Sequence, residues 1–276
     1  MKIYTLIEDH QLDLNFGAEH GVSFYIETAK HKVLFDVGQS SLFLSNAIRF
    51  KLDLSLVDTV IISHGHYDHG GGLEDFLRIN KKAKIYIQEN AFDKFYSMRK
   101  EGQYTYIGLS QKLDTSRFTM IKGDLKIDDE LMIINDIKHK LYLPSSNQTM
   151  FKSIEEKMVL DDFSHEQSLI ITELEHAVLF AGCAHKGILN IVDQAELMIK
   201  PQKLTKVFGG FHLKSRLKEY EETEIQIENI AHIMADKKSI IFYTGHCTGD
   251  KAFSLMKSLM TDKLQVFHPG LIIDLN

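Results

Sequence analysis

The sequence of 276 residues contains only 2 cysteines, 3 prolines and no tryptophan. Two cysteines, Cys183 and Cys247, are too few for a disulfide framework, so we expect free thiols in a reducing compartment. The 32 basic residues do not exceed the 38 acidic ones, which argues against nucleic acid as a partner. No run approaches the ~20 apolar residues of a membrane span, and Glu8 and Asp9 interrupt the apolar stretch that a signal peptide needs. These absences predict a cytoplasmic protein with no membrane partner.

The chain instead has alternating strand and helix patterns, and no Gly/Ser-rich or Pro-rich linker divides them. Short β-branched and aromatic runs predict strands at 2–7, 22–28, 32–37, 58–62, 84–89, and at the starts of 206–213 and 239–250. Further strands are predicted near 131–135, 140–143, 168–173 and 177–181 and over 264–275. Helices are predicted over 40–51, 73–81, 187–200, 219–238 and 251–260. This rhythm predicts one layered α/β domain over 1–276. Within it, the less regular Tyr-, Phe- and Lys-rich segment 90–125 is predicted to be an insertion that covers the substrate.

The strongest chemical signal is the segment His64-Gly65-His66-Tyr67-Asp68-His69, which comes directly after the buried strand 58–62 and before three glycines. Three imidazoles and one carboxylate within six residues are ligands that suit zinc, iron or manganese. Histidines at i and i+2 do not share a helix face, so the pair fits a strand end or tight loop. Asp68 and His69 are adjacent and must diverge, so they can serve a second metal ion.

This segment resembles the HxHxDH motif of the metallo-β-lactamase superfamily. VLFDVG with Asp36, AVLFAGCAHKG (177–187) and YTGHCTG (243–249) resemble further motifs of the superfamily. The set EHG (19–21), SHGHYDHGGGL, GCAHKGILNIV, GGFHL and TGHCTG resembles one subgroup. That subgroup comprises metal-dependent hydrolases of β-lactamase superfamily II and dihydropterin-methyl-ribofuranosylaminobenzene phosphate synthase-like proteins. The resemblance implies an αββα sandwich with mixed sheets and two divalent metal ions at the sheet edge.

The resemblance also implies a role for individual residues. It assigns His64 and His66 to the first metal ion and Asp68, His69 and His246 to the second, with Asp36 orienting a ligand histidine.

Two positions depart from the superfamily pattern. Cys183 stands where a bridging aspartate is expected, and it either bridges the ions as a thiolate or packs as a small apolar residue. The third histidine of the first ion is His185 or His165. We favour His185, because it follows a predicted strand end, whereas His165 precedes its strand.

Other residues are candidates for contact with substrate. His212 can bind an anionic group or act as general acid, and His20 is a weaker candidate of the same kind. Asp68 can hold or orient the proton of the nucleophile. Tyr104 and Tyr106 can stack on a flat ring such as a pterin or nucleobase.

The function predicted from these residues is that of a metal-dependent hydrolase. Two ions, zinc expected and iron or manganese compatible, would activate water against a small phosphorylated or ester-type substrate. One alternative is a pterin-transfer (synthase) reaction of methanopterin-type biosynthesis; another is a non-hydrolytic di-iron redox or sensor protein. The expected partner is a small anionic molecule, and the sequence does not predict an oligomeric state.

Overall fold

The computed structural model describes residues 1–138 and 141–275. Among these residues the α-helices lie within 42–79 and 188–260, and ten successive strands lie between them. The strands are β1 (Lys2–Ile7), β2 (Ser23–Glu27), β3 (Lys32–Phe35), β4 (Thr59–Ile61), β5 (Lys84–Gln88), β6 (Lys94–Lys100), β7 (Gln103–Tyr106), β8 (Phe118–Ile121), β9 (Leu125–Lys126), β10 (Leu131–Ile134), β11 (Met150–Ile154), β12 (Lys157–Leu160), β13 (Ser168–Glu173), β14 (His176–Phe180), β15 (Leu204–Phe208), β16 (Ile241–Thr244), β17 (Leu264–Val266) and β18 (Ile272–Asp274). The α-helices are α1 (Leu42–Arg49), α2 (Tyr67–Gly70), α3 (Leu73–Ile79), α4 (Ile188–Met198), α5 (Glu224–Asp236) and α6 (Asp250–Met260).

Two mixed sheets of seven strands form the body of the molecule. One has the order β18-β1-β2-β3-β4-β5-β8 and the other the order β17-β16-β15-β14-β13-β10-β9. Strands β3, β4, β5 and β8 are parallel to one another, and so are β14, β15, β16 and β17. A third sheet, β12-β11-β6-β7, is antiparallel.

The two large sheets pack face to face, with helices on their outer faces. Phe24 and Phe35 of one sheet meet Phe180 and Phe208 of the other in the core between them. Each fully buried phenylalanine stabilises the fold by roughly 1.5–3 kcal/mol. Helices α1 and α3 cover the first sheet, and α4, α5 and α6 cover the second. The predicted αββα sandwich is therefore confirmed.

The parallel strands bring their carboxyl ends to one edge, where an open α/β sheet usually binds its ligand. Non-glycine residues with left-handed backbone cluster just beyond these ends: Asp36 (φ 56°) after β3, Ala184 (φ 56°) after β14, His212 (φ 51°) after β15 and His246 (φ 49°) after β16. Such conformations cost of order 1–3 kcal/mol each and concentrate at functional sites. Four of the eleven left-handed non-glycine residues in the described part of the chain lie at this one edge.

The strand predicted near 140–143 is wrong for residues 141–143, and residue 140 lies outside the described part of the chain. Tyr142 has φ 50°, and Leu141, Tyr142 and Leu143 are exposed, so the apolar run has no sheet to join.

Segment 90–125 is more regular than predicted, since it contains β6, β7 and β8. The hairpin β11–β12, to which β6 pairs, was not predicted. Among the described residues, no helix has the length and apolar character that a membrane crossing requires.

Candidate metal centre

The loop between β4 and α2 carries the motif with three histidines. Its backbone is extended at His66 (φ −93°, ψ 147°), which caps the single turn of α2 on which Asp68 and His69 lie. His64 and His69 are fully buried, and His66 and Asp68 are 4% and 7% exposed. Burying so many polar groups together is costly unless they find partners, so the partners of each ring decide what the loop can do.

His64, His66 and His185 form the first ligand group. Their ring centroids lie 4.5 Å (His64–His66), 5.0 Å (His64–His185) and 5.1 Å (His66–His185) apart. The Nε2 atom of each ring is buried without a hydrogen-bond partner among the described residues. A buried polar atom left unpaired costs about 1–3 kcal/mol, and a cation between the three rings would remove that cost.

The protonation of this group also fits a cation. Burial lowers the pKa of His64 and His185 well below the usual value, and it lowers the pKa of His66 to about 3. Neighbouring histidines lower the pKa values further, because like charges disfavour one another. All three rings are therefore neutral near pH 7, as metal ligation requires.

Asp68, His69 and His246 form the second ligand group. Asp68 Oδ2 is 3.4 Å from His246 Nε2 and 3.8 Å from His69 Nε2. Burial alone would lower the pKa of His69 and His246, but carboxylates outweigh it and raise both pKa values. For His69 these carboxylates are Asp36 and Asp68, and for His246 they are Asp68 and Asp9. A divalent cation in this group would replace protons that the metal-free protein holds.

Cys183 lies between the two groups. Its Sγ atom is 3.3 Å from His69 Nε2. It is within 4.8 Å of ligand atoms of His64 and His185 on one side and of His69 and His246 on the other. The position is the one that a bridging ligand would occupy, and burial at 3% exposure is compatible with either of the roles predicted for this thiol.

Asp36 and Ser63 support one histidine from each group. His69 Nδ1 donates to Asp36 Oδ2 (2.7 Å), and Ser63 donates through Oγ to the same oxygen (2.7 Å) and through its backbone N–H to Oδ1 (2.7 Å). Since its proton goes to Asp36, Ser63 Oγ accepts from His64 Nδ1 (2.9 Å). These bonds put the protons on Nδ1 and leave Nε2 of each ring facing the centre. A Cβ at Gly182 would come within 2.3 Å of Ser63 Oγ, so this approach requires glycine.

Asp9, just beyond β1, supports two further rings. His246 Nδ1 donates to Oδ1 (2.7 Å) and His20 Nδ1 to Oδ2 (2.9 Å). Although burial opposes it, these two histidines hold the pKa of Asp9 well below its usual value. Asp9 was not among the residues predicted for the site, although its position directly after a predicted strand was a usable signal.

His165 has no free ring nitrogen, whereas His185 does. Gly65 N–H donates to His165 Nδ1 (2.9 Å), and His165 Nε2 donates to Asp161 Oδ2 (3.0 Å). His185 donates through Nδ1 to Asn147 Oδ1 (3.1 Å) and leaves Nε2 unpartnered. The geometry thus supports His185 as the third histidine of the first group. Asn147 was not identified from the sequence, because it lies in a short 3-10 helix (Ser145–Thr149) that carries no motif.

An open cavity leads to these residues. His212, 6% exposed, faces the cavity, and both of its ring nitrogens lack partners among the described residues. Three basic residues, Arg99, Lys214 and Arg216, line the same cavity. Other lining residues include Asp9, His20, His66, Asp68, Cys183, His185, His246 and Cys247.

The two tyrosines predicted to contact substrate lie elsewhere. Tyr104 packs edge-on against Phe151 (5.0 Å between centroids), and Tyr106 Oη donates to the Leu109 carbonyl (2.7 Å). Neither is among the residues that line the cavity. Segment 90–125 reaches the cavity through Arg99 and its β6 neighbours instead, because β6 is the strand that faces the motif loop.

The fold and the ligand groups together define an αββα protein with a candidate metal centre at one sheet edge. The chain belongs to the metallo-β-lactamase superfamily, whose family model matches residues 16–186. A 7,8-dihydropterin-6-methyl-4-(β-D-ribofuranosyl)-aminobenzene-5'-phosphate synthase of Methanocaldococcus jannaschii is 27% identical, over 99% of this chain and 96% of the relative. An uncharacterized protein of the same organism is 30% identical, over 97% and 98% of the two chains.

A solved structure is similar over the whole chain. It is a metal-dependent hydrolase of the β-lactamase superfamily with a TM-score of 0.83 and 29% identity, and the match covers 100% of this chain and 99% of that one. These relatives confirm the superfamily and the subgroup resemblance found in the sequence.

Proposed function

We propose that the protein is a metal-dependent hydrolase that acts on a small phosphorylated or ester-type substrate. The single observation that carries the proposal is the set of unpartnered, buried Nε2 atoms of His64, His66, His185 and His246, since the last three of these residues line an open cavity. Asp68, His69 and Cys183 complete a nitrogen, oxygen and sulfur donor set that suits two divalent cations, with zinc expected and iron or manganese compatible. When bound, such ions lower the pKa of a water molecule and neutralise charge on reacting oxygens.

The chain's own residues supply the remaining parts of a hydrolysis. Burial opposes ionisation of Asp68, but the neighbouring histidines keep its pKa well below the usual value. An ionised Asp68 can accept a hydrogen bond from the attacking water and orient it. His212 faces the same cavity with free ring nitrogens, so it can give a proton to the leaving group.

The charge of the cavity favours an anionic substrate. Arg99, Lys214 and Arg216 line it, and among the described residues none of the three has a carboxylate within 4 Å. Unpaired guanidinium groups bind phosphate or carboxylate through paired hydrogen bonds. A small phosphorylated molecule matches both the basic residues and the metal ligands.

A second candidate is a synthase reaction in which the amine nitrogen of a phosphorylated ribofuranosylaminobenzene displaces a leaving group, such as diphosphate, from the 6-methylene carbon of a dihydropterin. The similarity to the Methanocaldococcus synthase over 99% of this chain favours it. The basic cavity suits a phosphorylated substrate in either reaction.

The deciding experiment combines metal analysis with a substrate screen. Metal content is measured in protein purified without added metal, and each candidate ion is then tested with phosphodiesters, phosphomonoesters, lactones and thioesters. A parallel assay supplies a dihydropterin that carries a leaving group, such as diphosphate, on its 6-methylene carbon, together with a phosphorylated ribofuranosylaminobenzene. Turnover in the first panel supports the hydrolase, and product in the second supports the synthase. Two iron ions with visible absorption and no turnover in either assay would contradict both and favour a redox centre.

A further inference from the structure

His20 and His246 are arranged alike around one carboxylate. Each donates through Nδ1 to a different oxygen of Asp9, at 2.9 Å for His20 and 2.7 Å for His246. The two rings lie 4.6 Å apart with an interplanar angle of 36°. A carboxylate behind Nδ1 is the usual support of a metal-ligating histidine, since it fixes the proton and turns Nε2 outward. His20 therefore has the same support as His246, which the superfamily resemblance assigns to the second metal ion.

The Nε2 atoms of both rings point at the same oxygen. Asp68 Oδ2 is 3.3 Å from His20 Nε2, 3.4 Å from His246 Nε2 and 3.8 Å from His69 Nε2. Ligand bonds of about 2.0–2.2 Å to nitrogen and oxygen place neighbouring donors about 3.0–3.5 Å apart. By its distance to Asp68 Oδ2, His20 thus meets the spacing expected of two donors on one ion, as His246 of the second ligand group does.

The backbone beside His20 is fixed to the residues of the second ligand group. Gly21 N–H donates to Asp9 Oδ1 (3.2 Å), and Val22 N–H donates to the Asp68 carbonyl (3.4 Å). Gly21 has φ +142°, and a Cβ there would lie 2.3 Å from the Asp68 carbonyl oxygen. Only glycine allows this approach. The loop that carries His20 is thus held against the turn that carries Asp68.

We propose that His20 is a further ligand of the second metal ion. This inference rests on the two-metal centre of the proposed function. Asp68, His69, His246, Cys183 and His20 then offer five donors to the second ion. The first ion receives three histidines and the shared thiolate.

The unequal donor sets have a consequence for substrate. Five protein donors exceed the four that zinc usually takes, so the second ion has little room for another ligand. The first ion would have one protein donor fewer, so of the two ions it is the one with more room for substrate. His20 is then a ligand rather than the substrate contact expected from the sequence.

The test uses cobalt(II) as the probe on the full chain after chelator treatment. Cobalt is titrated into wild type, His20→Ala and the control His10→Ala. His10 suits as control because it is also partly exposed (side chain 50%, against 41% for His20) and also near carboxylates, but it does not line the cavity. The readouts are ions bound per chain, the affinity of each, and the visible spectrum.

We expect two ions per chain in all three proteins. In His20→Ala the affinity of one ion should fall 10–100-fold, and its visible absorption should change because one donor is lost. X-ray absorption should count six imidazoles per two ions in wild type and His10→Ala, and five in His20→Ala. A purely structural role of His20 would leave this count unchanged.

Two outcomes overturn the inference, and they differ. Identical affinities, spectra and imidazole counts in wild type and His20→Ala would remove His20 from the centre and leave the proposed function intact. Failure of wild type to bind cobalt would refute the metal centre itself. If His20→Ala does not fold, as judged by circular dichroism of the metal-free protein, His20→Gln keeps the size of the side chain and is measured instead.

Discussion

The two ligand groups differ in what stands behind each imidazole. In the first group, Ser63 and Asn147 present a neutral hydroxyl and a neutral amide to His64 and His185. In the second, the carboxylates of Asp36 and Asp9 contact His69 and His246, and Asp68 adds a charged ligand. Negative charge close to an ion strengthens binding in a site of low dielectric. We therefore expect the second group to hold its ion more tightly and to release protons as it does so.

The largest expected effect is that of His66→Ala. Removing one of three imidazoles leaves only His64 and His185 as histidine donors to the first ion. That ion should therefore be lost, and hydrolase activity should be lost with it. Metal content per chain, measured by elemental analysis, should fall from two to one, and turnover should fall to background. Two retained ions in a folded variant would contradict the division into two groups.

In the metal-free protein, the two ligand groups should affect the pH dependence of the free energy of unfolding in opposite directions. The folded protein keeps His64, His66 and His185 neutral, with a pKa of about 3 for His66, whereas in the unfolded chain they take up protons below about pH 6.5. The free energy of unfolding should therefore fall as the pH drops from about 6.5 toward 3, by up to ~1.4 kcal/mol per pH unit for each histidine.

Above pH 6.5 the second ligand group determines how the free energy of unfolding changes with pH. Its histidines, His69 and His246, have raised pKa values, so the folded protein keeps protons that the unfolded chain loses. Their contribution is fully present below pH 6.5 and is lost as the pH rises through the folded pKa values. Urea unfolding of metal-free protein should thus give maximum stability near pH 6.5. A flat profile would contradict the electrostatic contrast, and metal-loaded protein is the control.

The sequence was informative where chemistry and periodicity coincide. Apolar runs predicted the strands that precede the motif loop, Cys183, His185 and His246. Their meeting at one sheet edge could therefore be predicted. Asn147 could not, because its role depends on a loop from a distant part of the chain. Asp9 was missed for a similar reason, because it lies 237 residues from its partner His246 in the sequence. Asp36 was predicted through the family resemblance, but Asn147 and Asp9 lie outside those motifs, and the folded arrangement shows which ring each of them supports.

The same limit applies to segment 90–125 and to Tyr104 and Tyr106. Aromatic content suggested stacking on substrate, but strand pairing decides which face of β6 and β7 turns to the cavity. Pairing with the unpredicted hairpin β11–β12 engages Tyr104 with Phe151. Composition pointed to a segment of which four residues line the cavity, but it did not show which side chains these are.

Asp36→Asn should weaken both ions, because this carboxylate contacts His69 directly and reaches His64 through Ser63. Outer carboxylates of this kind are typically worth 10–100-fold in metal affinity. Competition with a coloured chelator measures the two affinities separately. Loss confined to one ion would mean that the chain through Ser63 does not orient His64.

The smallest effects should come from a matched pair, Asn147→Ala and Asp9→Asn, each of which touches one group only. Asn147→Ala removes the acceptor behind His185, and about 10-fold in the affinity of the first ion should be lost. Asp9→Asn weakens the support of His246 and should affect only the second ion, by somewhat more, because a charge is removed as well as a hydrogen bond. The double variant should show additive losses, since independent sites do not couple. If the losses are not additive, the two ions share more than Cys183, and the contrast between a neutral and a charged group must be replaced by one coupled centre.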